Sequence, residues 1–457
     1  MEGQRLYRQL GLPLDVAEWP ATEKSKLLDK ISELVDFEFV RALTKPYFSH
    51  IGRPSIDAVV MVKMMLIGYL FGVPSDRQLA DDCADRLSFR RFLGFGMDEA
   101  LPHHSSFTHW RKRLGPGFFD DVLHEIVRQC VEGGMKVSGT RCVDATAVKA
   151  QAGKNGPVVR VPKGKPVNEF LDDYFDGDAQ PAPPDDRSAT PINTHDPDAR
   201  AQSKPGQLYD FYYQPSFSSC PLSGLITDTC VSGFERAQTA VDHVDRDPFD
   251  VDELCADSLY DDGQMLVQLF ERGVVPYVPR KNHDKPGQLS KNTFAYDPDR
   301  DMYICPAGKE LKHSRYDEAK REHFYIAKKS DCDACPLKSQ CTTATRRTVT
   351  RKDDEWARDQ TVRAGPRYDA LMSARSTAEH LNMLAKRDHG MDRARALGVD
   401  AMRIQTSLTA VAINLKKLVG WRFSLCFASI LWTLTAASAT RRRHGLGAGQ
   451  YRQSLRD

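Results

Sequence analysis

The chain has no long hydrophobic run. Its longest strongly apolar stretch, Phe423 to Ser438, is 16 residues set between Arg422 and Arg441. That falls short of the roughly 18 to 20 residues needed to cross a bilayer, so it reads as a packing or oligomerisation helix, and no membrane partner is expected. The chain also lacks a strong charge of either sign: the net charge is +2, too small to argue for nucleic-acid binding from totals alone. No apolar segment follows the opening Met-Glu-Gly-Gln-Arg-Leu-Tyr, so no export signal is expected and the expected compartment is the cytoplasm. An even set of cysteines is missing too. Eleven of them in a long chain argue for reduced thiols or metal ligation over a disulfide framework.

What is present suits a globular protein. With 457 residues, 41% of them hydrophobic, there is enough chain for two or three packed domains. The charge is unevenly spread: residues 242–262 hold nine Asp or Glu, whereas His103–Arg113, Arg346-Arg347, Arg351-Lys352, Lys416-Lys417 and Arg441–His444 are basic clusters.

Residues 1–134 read as helical throughout. Ala21–Val35 has apolar residues at helical spacing, and Ser55 is a good N-cap for an almost wholly apolar helix running to Leu70. Short helical patterns follow at Ser75–Ala84, Leu87–Leu93 and from Ser105 or Ser106 to Leu114, before a Gly115-Pro116 stop. Short helices in succession, the last carrying Trp110, Arg111, Lys112 and Arg113, suggest a helix-turn-helix array that binds DNA. A plain bundle with a solvated basic face would give the same pattern.

After Gly133-Gly134 comes Lys136-Val-Ser-Gly-Thr-Arg-Cys-Val-Asp144-Ala-Thr-Ala-Val148, a β-branched run with a single carboxylate. It reads as a buried strand presenting Asp144. Residues 151–207 are rich in Pro, Gly, Asp and Lys and read as a long loop or partly disordered insert. Strands are expected at Leu208–Gln214 and Ser223–Val231, a helix at Glu235–Val244, and a strand in the run Glu253–Asp257. A helix at Gly263–Arg272 and a strand at Val274–Val278 complete a mixed sheet with helices packed on it. Asp144 and Asp257 each close an apolar run, which suggests a carboxylate pair holding divalent metal. Among 62 acidic residues, two such Asp can also arise by chance.

Residues 281–365 interrupt this order. They carry Cys305-Pro-Ala-Gly308 and then Cys332-Asp-Ala-Cys335 with Cys341 after it. Four thiolates suit tetrahedral zinc, which would supply the fold of a small insert with little apolar content. His313 or His323 could substitute, and free or redox-active thiols are the alternative. Beyond the insert, Ser373–Lys386 reads as a helix that places Arg375, Glu379 and Lys386 within about 60° of one another on one polar stripe.

Asp144 and Asp257 on two strands, followed by a helix with Arg375, three residues, Glu379, six residues and Lys386, resemble the core of bacterial insertion-sequence transposases of the DDE type, the Tyr-Arg-Glu-Lys signature group. The Pro102–Phe107 and Trp110–Gly115 segments, Asp196-Pro-Asp-Ala-Arg200, the Cys-rich insert and a closing helix Gln405–Leu418 with Asn414-Leu-Lys416 extend the resemblance to about residue 420. One position departs from it: Met372 stands where the signature has Tyr, and Tyr368 lies one turn away.

The resemblance implies an α/β fold with an RNase H-like mixed sheet flanked by helices, an N-terminal all-helical domain and a small Cys-rich insertion. The expected division is a DNA-binding domain at 1–134, a catalytic core at 135–280 and 366–420, the insertion at 281–365 and an extension at 421–457. Asp144, Asp257 and Glu379 would hold two Mg²⁺ (or Mn²⁺) ions for phosphoryl transfer, one activating water or the freed 3′-OH and the other stabilising the leaving oxygen. Lys386 would contact a phosphate, and Arg375 would orient Glu379 or the DNA. The implied partners are double-stranded DNA, as element ends and target, and a second copy of the chain on that DNA in the nucleoid. Two rivals remain open: a metal-dependent nuclease that cuts without joining, and a non-catalytic, transposase-derived DNA-binding protein.

Overall fold

In the computed structural model the described residues are 22–49, 55–152, 157–202, 210–232, 236–281 and 289–445. The N-terminal region contains α1 (Glu23–Leu34), α2 (Phe39–Thr44), α3 (Ala58–Leu70), α4 (Asp76–Asp85), α5 (Leu87–Leu93) and α6 (Ser105–Glu132). Every residue of α3 is buried, as its apolar sequence requires. Its cap is Asp57, not the expected Ser55. The Asp57 carboxylate accepts from the Val59 amide at 2.9 Å and pairs with Arg41 at 2.8 Å, so one side chain closes the helix end and ties it to α2. The expected stop at Gly115-Pro116 is a break instead. Gly115 adopts φ 69°, ψ 172°, and the helix resumes because proline is preorganised for a first turn.

The central sheet contains β1 (Thr140–Ala145), β2 (Val148–Lys149), β5 (Arg200–Gln202), β6 (Asp210–Ser219), β7 (Ile226–Ser232), β8 (Glu253–Cys255) and β9 (Val275–Tyr277). β6 lies antiparallel between β7 and β1, while β8 and β9 continue from β1 in parallel. Residues on alternate sides of β1 and β8 face different helices, as strand geometry demands. Val143, Leu254 and Ala256 pack with α8 (Arg236–Arg246) and α9 (Gly263–Glu271); Cys142 and Cys255 pack with Leu371 and Ala378 of α13 (Pro366–His389).

Residues 157–202 are not the expected structureless loop. β3 (Val158–Val161) and β4 (Thr190–Asn193) pair, and α7 (Val167–Asp176) packs Phe170 and Leu171 against Val159, Val161 and Ile192. The apolar residues for this core are few and split across a polar stretch, which hides their pattern. In the Cys-rich region, β10 (Ala295–Asp297), β11 (Met302–Ile304), β12 (Glu310–Asp317), β13 (Glu322–Ala327) and β14 (Thr348–Lys352) form an antiparallel meander. α10 (Lys329–Asp333) and α11 (Lys338–Cys341) lie between β13 and β14, and α12 (Glu355–Gln360) follows. The meander has an apolar core of its own, Phe294, Tyr303, Leu311, Tyr325, Ala327 and Val349, contrary to the expectation that metal alone would order it.

α14 (Val399–Gly445) is the last described element, and its buried face from Met402 to Val419 shares one apolar cluster with α1, α3, α6 and Phe217 of β6. That cluster includes residues on both sides of residue 134, where helix gives way to strand. Two sequence features serve this joint. Asn414 bonds both the amide and the carbonyl of Ile226, at 3.0 and 2.8 Å, beside the register shift between Ser218 and Ser219. Asp198 accepts from the Val399 amide at 3.0 Å, and Asp196 accepts from Tyr213 and from the Gly398 amide, so Asp196–Arg200 anchors the start of α14. The side chains of Phe423–Ser438 and Arg441–His444 lie outside the described residues. Among the described residues no helix is long and apolar enough to cross a membrane.

Candidate active site

The parallel pair β1 and β8 builds the site in three layers. Thr140 pairs with Glu253 and Cys142 with Cys255; two residues further along each chain stand Asp144 and Asp257. The five that belong to the strands fall on the α13 side by the two-residue repeat, and Asp257 follows two residues after Cys255. α13 meets them in turn. Arg367 bonds Glu253 and Thr140. Leu371 and Ala378 cover the thiols, and Asn382 donates to Asp144 Oδ2 at 2.8 Å.

Asp144 is half-buried, and burial pushes its carboxyl above the usual range, with the nearby Asp257 charge adding to the rise; the Asn382 bond and Arg375 oppose it. Asp257 follows the end of β8. Its Oδ1 accepts from the Leu259 amide at 2.7 Å, capping a short 3₁₀ turn at Ser258–Tyr260. The Asp257 charge disfavours ionised Asp144, and a cation between the two would relieve that repulsion.

Glu379 is not brought into contact with the pair. Its side chain is 63% exposed, with Arg375 Nη2 3.6 Å away. It lies one turn before Asn382 and about 60° around the helix from it, on the flank of α13 and not on the far side. Lys386 is one turn beyond Asn382 on the same stripe. Met372 and Tyr368 both pack against the cluster of Cys142, Cys255 and Leu371. Among the described residues no group of three or more His, Cys, Asp or Glu is arranged to hold a metal ion.

The Cys-rich region gives a second candidate. Cys305, Cys332, Cys335 and Cys341 line one small cavity of about 30 Å³, room enough for a water-sized species. Burial raises the Cys341 thiol, with the Arg347 charge opposing and the three neighbouring thiols adding to the rise. His313 and His323 face each other at 3.1 Å and do not line this cavity.

The basic cluster on α6 divides. Trp110 is buried beside Phe48, and both terminal nitrogens of Arg111 bond Asp76 at 2.7 Å, so these two hold α6 in the bundle. Lys112 and Arg113 are exposed. The spacing Phe107, Trp110, Leu114 was the available signal, since it marks the buried stripe.

On the opposite face of the sheet, Ser216 Oγ lies 2.8 Å from His243 Nε2, and His243 Nδ1 2.5 Å from Asp228. This is the connectivity of a hydrolase triad. Each of the three is at most 1% exposed, and His124 and Arg246 also hold Asp228. No substrate reaches such a serine, so the network ties α6 and α8 to the sheet.

Asn382 is the site residue that the sequence reading missed. Its signal was an amide in the middle of a helix, a residue that favours caps and turns unless its side chain has a partner.

A family model described as a transposase domain (DUF772) matches residues 20–113, and one described as a transposase DDE domain matches residues 304–419. The second match contains the four cysteines, Glu379 and Lys386; Asp144 and Asp257 lie between the two. No curated protein matches the chain. Among solved structures, the piggyBac transposase synaptic complex with hairpin DNA is similar over 88% of this chain and 74% of that chain, at 8% identity and a TM-score of 0.32, a likeness too distant to bear on fold or chemistry.

Proposed function

Taking the chain as a DDE-type transposase, the family that its two domain matches support, we propose that it binds the ends of its own element and catalyses metal-dependent cleavage and joining of DNA with Asp144, Asp257 and Glu379. One observation carries the reading: Asp144, near the end of β1, and Asp257, just past the end of the adjacent parallel β8, interact electrostatically, and Asp144 is bonded by Asn382 of the helix that carries Glu379. The strand sequence β7-β6-β1-β8-β9, with the first three antiparallel and the last two parallel to β1, supports an RNase H-like core.

The donor types suit divalent cations, with the third acid turned away from the other two. Oxygen donors suit Mg²⁺, and Asp144 already sits beside a second carboxylate that disfavours its charged form. Two cations held there would supply activation of the attacking hydroxyl and stabilisation of the leaving oxygen. Asp144 would present Oδ1, because Asn382 occupies Oδ2, and Asp257 would present Oδ2, because Oδ1 caps the Leu259 amide. Glu379 would reach the pair by turning from solvent, with Arg375 guiding its carboxylate. Lys386, Lys112 and Arg113 would bind phosphates, with salt-dependent affinity. The exposure of Glu379 favours the second reading, a DNA-binding relative without catalysis.

A cleavage assay with Mg²⁺ on DNA carrying the terminal repeats separates the two. Cleavage lost in Glu379→Gln, with end binding kept, supports catalysis; a wild-type chain that binds ends and never cuts supports the second reading. Strand-transfer products separate a transposase from a nuclease. We also propose structural zinc at the four cysteines, about one per chain, measured by elemental analysis and lost in Cys335→Ser. Dimerisation on DNA and the division at residues 134, 280, 365 and 420 belong to the same reading.

A further inference from the structure

Asn382 is 7% exposed, and its amide oxygen is buried with no hydrogen-bond partner. With Asp144 ionised, Nδ2 is the group that donates to it, which leaves Oδ1 as the orphan. A buried amide oxygen without a partner is destabilising by about 1 to 3 kcal/mol. Elsewhere in α13 such a cost is avoided. Leu371, Ala378, Leu381 and Ala385 are apolar, and the other buried polar residue, His389, bonds the Tyr69 carbonyl; an apolar side chain at position 382 would remove the penalty. The unpartnered oxygen belongs to the same amide that bonds Asp144, whose carboxyl is already pushed up by burial and by the Asp257 charge.

We infer that Asn382 belongs to the cation site: its nitrogen fixes the Asp144 carboxylate, and its orphan oxygen is a neutral ligand for the divalent cation. An amide oxygen is a hard donor of the kind Mg²⁺ and Mn²⁺ accept. It adds no charge where Asp144 and Asp257 already repel. It also joins the cation to α13, the helix that must present Glu379, so cation binding and the placement of the third acid are linked through one side chain.

This inference rests on the reading of Asp144 and Asp257 as metal holders, and the test separates the two. Mn²⁺ binding to the full chain without DNA is measured by electron paramagnetic resonance and calorimetry for the wild type, Asp257→Asn, Asn382→Leu and Asn382→Asp, with thermal melting to check folding. Asn382→Leu should bind Mn²⁺ at least about tenfold more weakly, in the range seen when residues supporting a metal site are removed. Its melting temperature without metal should be unchanged or higher. Asn382→Asp should keep Mn²⁺ binding, lower the metal-free melting temperature by adding a third acid, and regain stability with Mn²⁺. Wild-type affinity in a folded Asn382→Leu, alongside weakened binding in Asp257→Asn, overturns this inference and leaves the site standing. Undiminished binding in both variants removes the site and the inference with it. If Asn382→Leu fails to fold, the Asn382→Asp response decides: no Mn²⁺-dependent gain in melting temperature counts against a ligand at this position.

Discussion

The two ends of the β1–β8 pair differ in how far their polar groups are satisfied. At the amino end, Glu253 receives bonds from Arg367, Thr140 and Tyr277, and Arg141 is locked to Asp247 at 2.6 and 2.8 Å, with Thr227 on the same carboxylate at 2.5 Å. At the carboxyl end, Asp144 has one side-chain donor, Asp257 uses one oxygen on its own turn, and Asn382 Oδ1 has none. The strands and the covering helix are the same at both ends. Folding therefore does not explain the shortfall at one of them. Buried polar groups are ordinarily paired, and ligands in sheets with parallel strands gather beyond the carboxyl ends, so the under-satisfied end is where the proposed site would lie.

The largest expected effect breaks the comparison at the carboxyl end. Asp144→Asn and Asp257→Asn should lower the cleavage rate by roughly 10³ or more, since a metal's contribution to a phosphoryl transition state is several kcal/mol. Each change also removes a repulsion, so the melting temperature without metal should hold or rise. Parallel cleavage and melting measurements check both; a fall in stability with cleavage retained would make the acids structural.

Next in size is the amino end. Arg141 and Asp247 are 1% and 0% exposed at the side chain, and removing one partner of a buried ion pair costs about 3 to 5 kcal/mol. Asp247→Ala should lose that much in urea denaturation.

Acidification sharpens the contrast at the far end of α13. His389 is buried, with Nδ1 2.8 Å from the Tyr69 carbonyl oxygen, and burial lowers it from 6.5 to about 4. A depressed histidine favours its neutral form in the fold. The associated stability is complete above about pH 6.5 and is lost as pH falls toward 4, by at most about 3 kcal/mol. Denaturation curves at pH 7.5 and 4.5 should show this loss in the wild type and a smaller one in His389→Leu.

The amino-acid sequence makes much of this legible, for identifiable reasons. β1, β8 and β9 are short apolar runs, and α13 follows a helical period, so the elements bearing Asp144, Asp257 and Glu379 can be read directly. A polar residue that faces a partner from another element has no such signature. Asn382 finds Asp144 across 238 positions, and Asn414 finds Ile226 across 188. The reverse error arises from taking residue type as location: Trp110 and Arg111 looked like DNA contacts, yet both complete the bundle. The split core of 157–202 was hidden because its apolar residues lie in three short pieces.

The smallest expected effect tests whether the two ends are independent. Arg367 holds Glu253 at about 2 through its side-chain bonds, against burial, with help from Thr140 and Tyr277. A carboxylate with a depressed value contributes stability above its ordinary value near 4.5, and that contribution is lost as pH falls toward 2. The full shift overstates the energy, because Arg367 is 55% exposed and solvent screens it. Arg367→Ala should therefore lose about 1 kcal/mol or less at neutral pH, and its disadvantage relative to the wild type should fade between pH 4.5 and 2. Thr140 and Tyr277 remain to hold Glu253, so α13 keeps its seat and Mn²⁺ affinity should not change. Weakened Mn²⁺ binding in this variant would mean that α13 transmits strain along its length from the satisfied end to the acids.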